Sequence, residues 1–387
     1  MLRGWTGVAA LLCSVLLTEA ASAASVPRFG AAVKLRVGRN PADIVARDLN
    51  RDRKPDLATA DFGSGTLSVL LGKGNDGFRK RFRYRTAPRP AGLMVKDVSG
   101  DGKRDLVSAS DDRAGSITVF LNRGSGRFRR AASYAAGSGA FAVAAADVNQ
   151  DGIVDLVTAH DSDRDFAVLL GTGAGRFRVA HRYTGPAATD VAVGDLNRDG
   201  TPDVALVAGG AGGRDSVVVR LGLGDGTFGP ARALESGADP WSLTLDDFNH
   251  DDKLDIAAAD YGAGSASVFL GTGDGNFSAR SPYPMGKGRN VDAVVVADFD
   301  RDGNRDIATP AYGSPIVRRG LGDGTFLAEQ HVRRNFAPTL GGAAADFNGD
   351  GWPDLAFFAG CSLSDCDFED NRLAYVFLNR TGRSAPP

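Results

Sequence analysis

Seven copies of one nine-residue pattern divide this chain into units of nearly equal length. The clearest copy is Asp195-Leu196-Asn197-Arg198-Asp199-Gly200-Thr201-Pro202-Asp203. Carboxylates stand at positions one, five and nine, a side-chain oxygen at position three and glycine at position six. The copies begin at Asp48, Asp97, Asp147, Asp195, Asp247, Asp298 and Asp346, at intervals of 49, 50, 48, 52, 51 and 48 residues. A period of that length over most of 387 residues restricts the chain to a repeat architecture, in which each unit buries its apolar surface against the next.

The flanks of each copy identify the unit. Upstream lies a short apolar run such as Val191-Ala192-Val193, and downstream another such as Asp255-Ile256-Ala257-Ala258-Ala259. A polar, glycine-rich turn follows, then a third run such as Ala266-Ser267-Val268-Phe269-Leu270. That run enters a second signature, seen as Leu221-Gly222-Leu223-Gly224-Asp225-Gly226-Thr227-Phe228, and a fourth run such as Phe177 to Tyr183 ends the unit. Runs of four to eight β-branched and aliphatic residues, punctuated by glycine, are strands. The chain holds 51 glycines without a collagen period, as many tight turns require. Four strands per unit predict a propeller blade, and seven units predict an all-β, seven-bladed β-propeller. The last unit stops after Tyr375-Val376-Phe377-Leu378, whereas Arg28-Phe29 and Val33 to Val37 precede the first. The N- and C-terminal strands should therefore share one closing blade, with Phe29 taking the place of the phenylalanine that ends the second signature. Closure in this way leaves no exposed sheet edge at the seam.

The nine-residue loops carry the chemistry. Hard oxygen donors at positions one, three, five and nine can converge on one centre, with the carbonyl of position seven as a further ligand and glycine permitting the turn. The candidate metal ligands are Asp48, Asn50, Asp52 and Asp56; Asp97, Ser99, Asp101 and Asp105; Asp147, Asn149, Asp151 and Asp155; and Asp195, Asn197, Asp199 and Asp203. The remaining sets are Asp247, Asn249, Asp251 and Asp255; Asp298, Asp300, Asp302 and Asp306; and Asp346, Asn348, Asp350 and Asp354. A donor set of this kind suits Ca2+ before Mg2+, at up to seven sites. One such loop alone need only cap its own turn; three carboxylates in nine residues, repeated seven times, imply a cation that relieves their repulsion. The loops at 147, 195, 298 and 346 keep the pattern whole. Arg53 and Asp252 replace glycine at position six in the first and fifth, and Ser99 is a weaker donor. None is an EF-hand, because no loop has glutamate at position twelve and a strand follows rather than a helix.

Together, Asp-x-Asn-x-Asp-Gly-x-x-Asp-Leu, the aromatic-glycine turns Asp61-Phe62-Gly63-Ser64-Gly65 and Asp260-Tyr261-Gly262-Ala263-Gly264, and Leu-Gly-x-Gly-Asp-Gly-x-Phe resemble the FG-GAP/VCBS repeat family. The resemblance covers residues 28 to 380. It implies the seven-bladed propeller of integrin alpha subunits and calcium at the loop positions just named. It does not imply a biological role.

Several features bear on setting and partner. Arg3, the apolar run Val8 to Leu17 and Ala21-Ser22-Ala23 read as a signal peptide over residues 1–23, so that a soluble propeller over 24–380 and a polar tail over 381–387 would be secreted to the extracellular space or periplasm. Cys361 and Cys366 are a candidate disulfide in that setting. A net charge of −2 points to neither nucleic acid nor an anionic membrane, and the expected state is a monomer. The chain has no Gly-x-Ser-x-Gly elbow, and none of its four histidines lies in a nucleophile or metal motif. Gly72-Lys73-Gly74-Asn75-Asp76-Gly77 falls between two strands and is a hairpin turn, not a nucleotide fingerprint. No catalytic residue or organic cofactor is assigned.

Strand alternation puts the metal loops and second signatures on one face of the propeller. The more variable second–third and fourth–first connections lie on the other. That face should carry Asp111, Asp112, Arg113, His160, Asp161, Asp163, Arg164, Arg214, Asp215, Asp239, Pro240, Trp241, Tyr261, Arg289, Asn290, Tyr312 and the segment Cys361 to Asn371. The function expected is a protein- or glycan-binding adhesion module. The alternatives are a carbohydrate-active enzyme of the polysaccharide lyase kind and a lectin with sugar sites between blades.

Overall fold

The computed structural model describes residues 25–79, 81–209, 215–286, 291–310, 315–334, 336, 339–359 and 371–381. The signal-peptide segment, Cys361, Cys366, Arg214, Arg289, Asn290 and Tyr312 lie outside them. Seven four-stranded antiparallel sheets make up the fold. The first blade comprises Pro41–Arg47, Asp56–Asp61, Thr66–Leu70 and Phe82–Arg85, and the pattern recurs through the sixth, from Val295–Ala297 to Gln330–His331. The seventh takes Thr339–Ala345, Asp354–Ala359 and Leu373–Asn379 from one end of the chain and Phe29–Arg36 from the other. First strands of successive blades touch around the whole ring, the seventh meeting the first.

The core is distributed rather than central. Seven hydrophobic clusters each lie between two neighbouring blades: Leu67, Val69, Leu93 and Phe120 join the first to the second, and Leu57, Ile44, Phe347 and Val376 join the first to the seventh. Second strands are therefore covered on both faces. Asp56–Asp61 and Asp203–Ala208 are buried at every residue, which is why they read as continuous small and aliphatic runs. Outermost strands alternate instead, as in Phe82–Arg85, where Arg83 and Arg85 are exposed.

The second signature proves to be a clasp between blades. Its leucine lies under the last glycine of the next blade's turn: a Cβ on Gly275 would come within 2.8 Å of Leu221, and one on Gly324 within 2.6 Å of Leu270. The amides of Gly226, Gly275 and Gly324 donate to the position-two carbonyls of the preceding loops, Val148, Leu196 and Phe248, at 3.1, 3.2 and 3.1 Å. In the second and seventh blades the side-chain amides of Asn122 and Asn379 do the same to Leu49 and Phe299, both at 2.8 Å. The closing phenylalanine packs on the position-two residue of the preceding blade, as Phe78 does on Phe347 with ring centroids 5.6 Å apart. Phe29 meets Phe299 in the same way at 6.0 Å, so the N-terminal segment supplies the missing half of the seventh blade's signature. Arg28 N–H donates to Thr381 Oγ1 at 2.8 Å and seals the seam.

Three aspartates outside the loops tie neighbouring first strands together. Asp43, Asp190 and Asp292 accept the amides of Leu93, Leu243 and Gly341 at 2.7, 3.0 and 3.2 Å. These amides lie on strand edges that face the axis, where no further strand can pair with them.

Candidate metal centres

Each nine-residue loop is a self-wound turn built on carboxylate–amide hydrogen bonds. The position-one aspartate receives the amide of position six: Gly152 on Asp147 at 2.7 Å, Gly200 on Asp195 at 2.9 Å, Gly303 on Asp298 at 3.0 Å and Gly351 on Asp346 at 2.7 Å. Arg53, Gly102 and Asp252 make the same bond to Asp48, Asp97 and Asp247 at 2.8, 2.6 and 2.9 Å. The position-five aspartate caps position seven, as Asp199 does Thr201 at 2.7 Å and Asp302 does Asn304 at 2.8 Å. Every position-six residue has a positive φ, including Arg53 at 64° and Asp252 at 61°. The loops that lack glycine thus keep the turn and carry its strain.

Position three divides the loops. Asn50, Asn149 and Asn197 turn their amide nitrogens onto Asp52, Asp151 and Asp199 at 3.1, 2.9 and 2.8 Å. In the sixth loop Asp300 replaces asparagine, is buried, and approaches Arg319 at 3.3 Å. There Asp298, Asp300 and Asp306 bring carboxylate oxygens within 4.8 Å of one another, the one such trio among the described residues.

Position nine has a role that its ligand spacing does not reveal. All seven residues, Asp56, Asp105, Asp155, Asp203, Asp255, Asp306 and Asp354, are fully buried. One oxygen accepts the amide of position two and the other an amide at the end of the third strand. Asp203 receives Leu196 at 2.8 Å and Gly222 at 2.7 Å, and Asp354 receives Phe347 at 2.8 Å and Asn379 at 2.6 Å. The residue thereby pins the acidic loop to the second signature. A carboxylate offers about four acceptor sites, so two amides leave capacity for a cation. Glycine begins the clasp in five blades because a Cβ there would strike the position-eight carbonyl, at 2.3 Å for Gly222 and Pro202.

The electrostatics fit a bound cation. Burial, then the neighbouring carboxylates of positions five and one, pushes Asp56 and Asp255 up to about 6 and Asp354 up to about 7. Asp306 rises to about 7 from burial first and the Asp300 and Asp302 charges besides. A divalent cation reverses such shifts by supplying the missing positive charge. In the sixth loop, oxygen-only donors, three converging carboxylates and the raised proton affinity of Asp306 together match a hard cation.

The opposite face differs from its expected form at several residues. His160 is fully buried, not a surface contact: Thr158 Oγ1 meets its Nε2 at 2.9 Å, its Nδ1 meets Asp165, and Arg182 pairs with Asp165 at 2.6 Å. Burial pushes its pKa down, so a neutral imidazole packs the blade. Thr158, His160 and Asp165 stand in line there, all three buried. Asp112 accepts the amides of Ala114 and Ser116 at 3.1 and 3.0 Å and shapes its turn, while Asp111 pairs with Arg89. Pro240 is buried at the start of its strand. Trp241 is 39% exposed and packs between Phe141 and Tyr261, with centroids 6.2 and 5.9 Å away.

Fold and loops define a closed seven-bladed β-propeller with an acidic turn in every blade. The chain carries FG-GAP-like repeats, matched over residues 97–158, 147–206 and 247–309. No curated protein matches it in sequence. Among solved structures it is similar to BBS1N, seen in complex with ARL6DN, at 13% identity and a TM-score of 0.61, with 93% of this chain and 99% of that one covered. It is also similar to hydrazine synthase from Kuenenia stuttgartiensis, at 11% identity, a TM-score of 0.59 and coverage of 89% and 96%. An Agrocybe aegerita lectin that recognises non-reducing terminal N-acetylglucosamine is similar at 19% identity and a TM-score of 0.54, with 79% and 80% covered. At these identities the likeness shows the fold alone. No helix among the described residues is long and apolar enough to cross a membrane.

Proposed function

We propose that the protein is an exported, calcium-stabilised propeller that acts as a binding module for an extracellular protein or glycan. The carrying observation is the sixth loop, where three carboxylates converge within 4.8 Å. Six further loops repeat its backbone geometry around one face. Calcium would be held by the carboxylates of positions one and five, the side chain of position three and the free acceptor capacity of position nine. When bound, it supplies charge neutralisation and cross-links each turn. The protein's own residues set the turn, pin it to the clasp and leave the other face free for a partner. The lectin of similar fold supports the glycan arm of the reading.

At about ten times its dissociation constant each calcium contributes roughly 1.4 kcal/mol, and seven independent sites on the order of 10 kcal/mol. Thermal melts with calcium and with chelator test the metal. A markedly lower midpoint in chelator is expected, and an unchanged midpoint would sink calcium as a stabiliser. A glycan array and an extracellular pull-down, each with and without calcium, test the module. Capture of a defined glycan or protein is expected, and silence in both overturns the reading.

A further inference from the structure

The net charge of −2 conceals a separation of sign. Every acidic loop holds at least three carboxylates, whereas the outermost strands of four consecutive blades hold none. These strands are Phe29–Arg36 of the seventh blade, Phe82–Arg85 of the first, Phe128–Ala135 of the second and Arg176–Thr184 of the third. Each presents exposed basic side chains, among them Lys34, Arg83, Arg129 and Arg178. One side of the propeller's outer wall is therefore basic.

The basic groups crowd most where the first blade meets the seventh. Strand alternation turns Phe82 and Tyr84 into the core between the first and second blades, so Arg81 and Arg83 face the seventh. A chain of contacts brings arginines of that blade toward them. Val37 N–H, just after Arg36, donates to the Arg372 carbonyl at 2.8 Å. The next amide, of Gly38, donates to Asp61 at 3.0 Å. Ser68 Oγ donates to the same buried carboxylate at 2.6 Å, and Ser68 lies opposite Arg83. Burial pushes Arg81 below the ordinary arginine value; Asp61 opposes the shift, and the charges of Arg83, Arg372 and Arg36 add to it. None of the four arginines forms an ion pair among the described residues. Like charges without counter-charges repel, and an anion between them removes that cost.

The fifth blade shows that the scaffold does not require the cluster. Arg280 there takes the place of Arg81, 4.0 Å from Asp260 and donating to Ser267 at 3.3 Å. Pro282 and Pro284 stand where the first blade has Arg83 and Arg85.

Spacing and shape narrow the occupant. Arg81 and Arg83 lie about 7 Å apart along their strand, which suits a chain with repeated anionic groups better than one small anion. Guanidinium forks bind sulfate and carboxylate through paired donors. No aromatic residue of the four strands is exposed, so the wall has no ring on which a nucleic-acid base could stack.

We infer that this basic wall binds a linear acidic polysaccharide, anchored where Arg83 of the first blade approaches Arg372 of the seventh. The inference rests on the binding-module reading and gives it a surface and a ligand class. Calorimetry of the full protein tests it with heparin, which carries sulfate and carboxylate, hyaluronan, which carries carboxylate alone, and neutral dextran. At least one acidic chain should bind ~10-fold or more tightly than dextran, with an affinity that falls as salt rises. Binding of heparin alone assigns the contact to sulfate, and comparable binding of hyaluronan assigns it to carboxylate. The double variant Arg83→Ala/Arg372→Ala should weaken that chain by ~10-fold or more and release about two fewer counterions, without a lowered melting midpoint. Acidic chains that bind no better than dextran overturn the inference. So does an affinity or salt dependence unchanged in the double variant, or duplex DNA that binds as tightly as the better polysaccharide. If these tests fail while another glycan or a protein is captured, the wall is not the site and the module stands. If the protein captures nothing, the module itself fails.

Discussion

Replacing Asp203 by alanine separates the structural role of position nine from its proposed role as a metal ligand. Asp203 is fully buried and accepts Leu196 N–H at 2.8 Å and Gly222 N–H at 2.7 Å. Alanine leaves both amides buried without an acceptor, at roughly 1–3 kcal/mol each, so about 2–6 kcal/mol in all. Loss of a calcium ligand adds at most that site's contribution, ~1.4 kcal/mol under the conditions above. Urea unfolding of the parent and of Asp203→Ala, each in calcium and in chelator, resolves the two terms. The larger part of the loss should persist in chelator, because the amides are stranded whether or not metal is present. A loss seen in calcium that vanishes in chelator would refute the backbone role and return Asp203 to a ligand alone. Asp195→Ala supplies the contrast: its loop is exposed, water can reach the freed amide of Gly200, and the cost in chelator should be smaller.

Three further outcomes follow from the geometry. Gly275→Ala should destabilise by about 2–4 kcal/mol in chemical denaturation, because it forces a side chain to φ 75° and presses a Cβ to 2.8 Å from Leu221. Arg53→Gly and Asp252→Gly should each raise stability by about 0.5–1 kcal/mol by relieving a left-handed side-chain residue; an unchanged or lower denaturation midpoint would contradict the strain. Burial, opposed by the Leu93 and Ile44 amides and assisted by the Asp190 charge, pushes Asp43 up to about 7. The folded state therefore holds a proton between about pH 4 and 7 that the unfolded chain has released, so this contribution is full below pH 4 and is lost as pH rises through 7. Between pH 5 and 8 the parent should lose more stability than Asp43→Asn, and equal losses would count against the shift.

The sequence was legible where the fold repeats. Strand positions, blade number and the shared closing blade all follow from the spacing of the acidic loops, and the pairing of Phe29–Arg36 with Leu373–Asn379 agrees with them. Phe29 was identified by its place after a truncated signature, and it does fill that slot. His160 could not be placed in the same way. A lone histidine at the end of a strand resembles a loop residue until Asp165 and Arg182 fold over it. The carboxylates of position nine are legible in the sequence as candidate ligands but not as pins, because the amides of Gly222 and Leu196 reach Asp203 from separate turns. Asp43, Asp190 and Asp292 carried no signal, since nothing local marks which strand edge faces the axis.

By itself the sequence determined how many blades there are, what closes the ring and which oxygens are available to a cation, because each is encoded within one unit and repeated seven times. The tertiary structure decided what lies between units. It turned a leucine and a glycine 54 residues apart, Leu221 and Gly275, into one clasp. A repeat fixes the relation of a residue to its own turn, and only the curvature of the closed ring fixes its relation to the neighbouring blade.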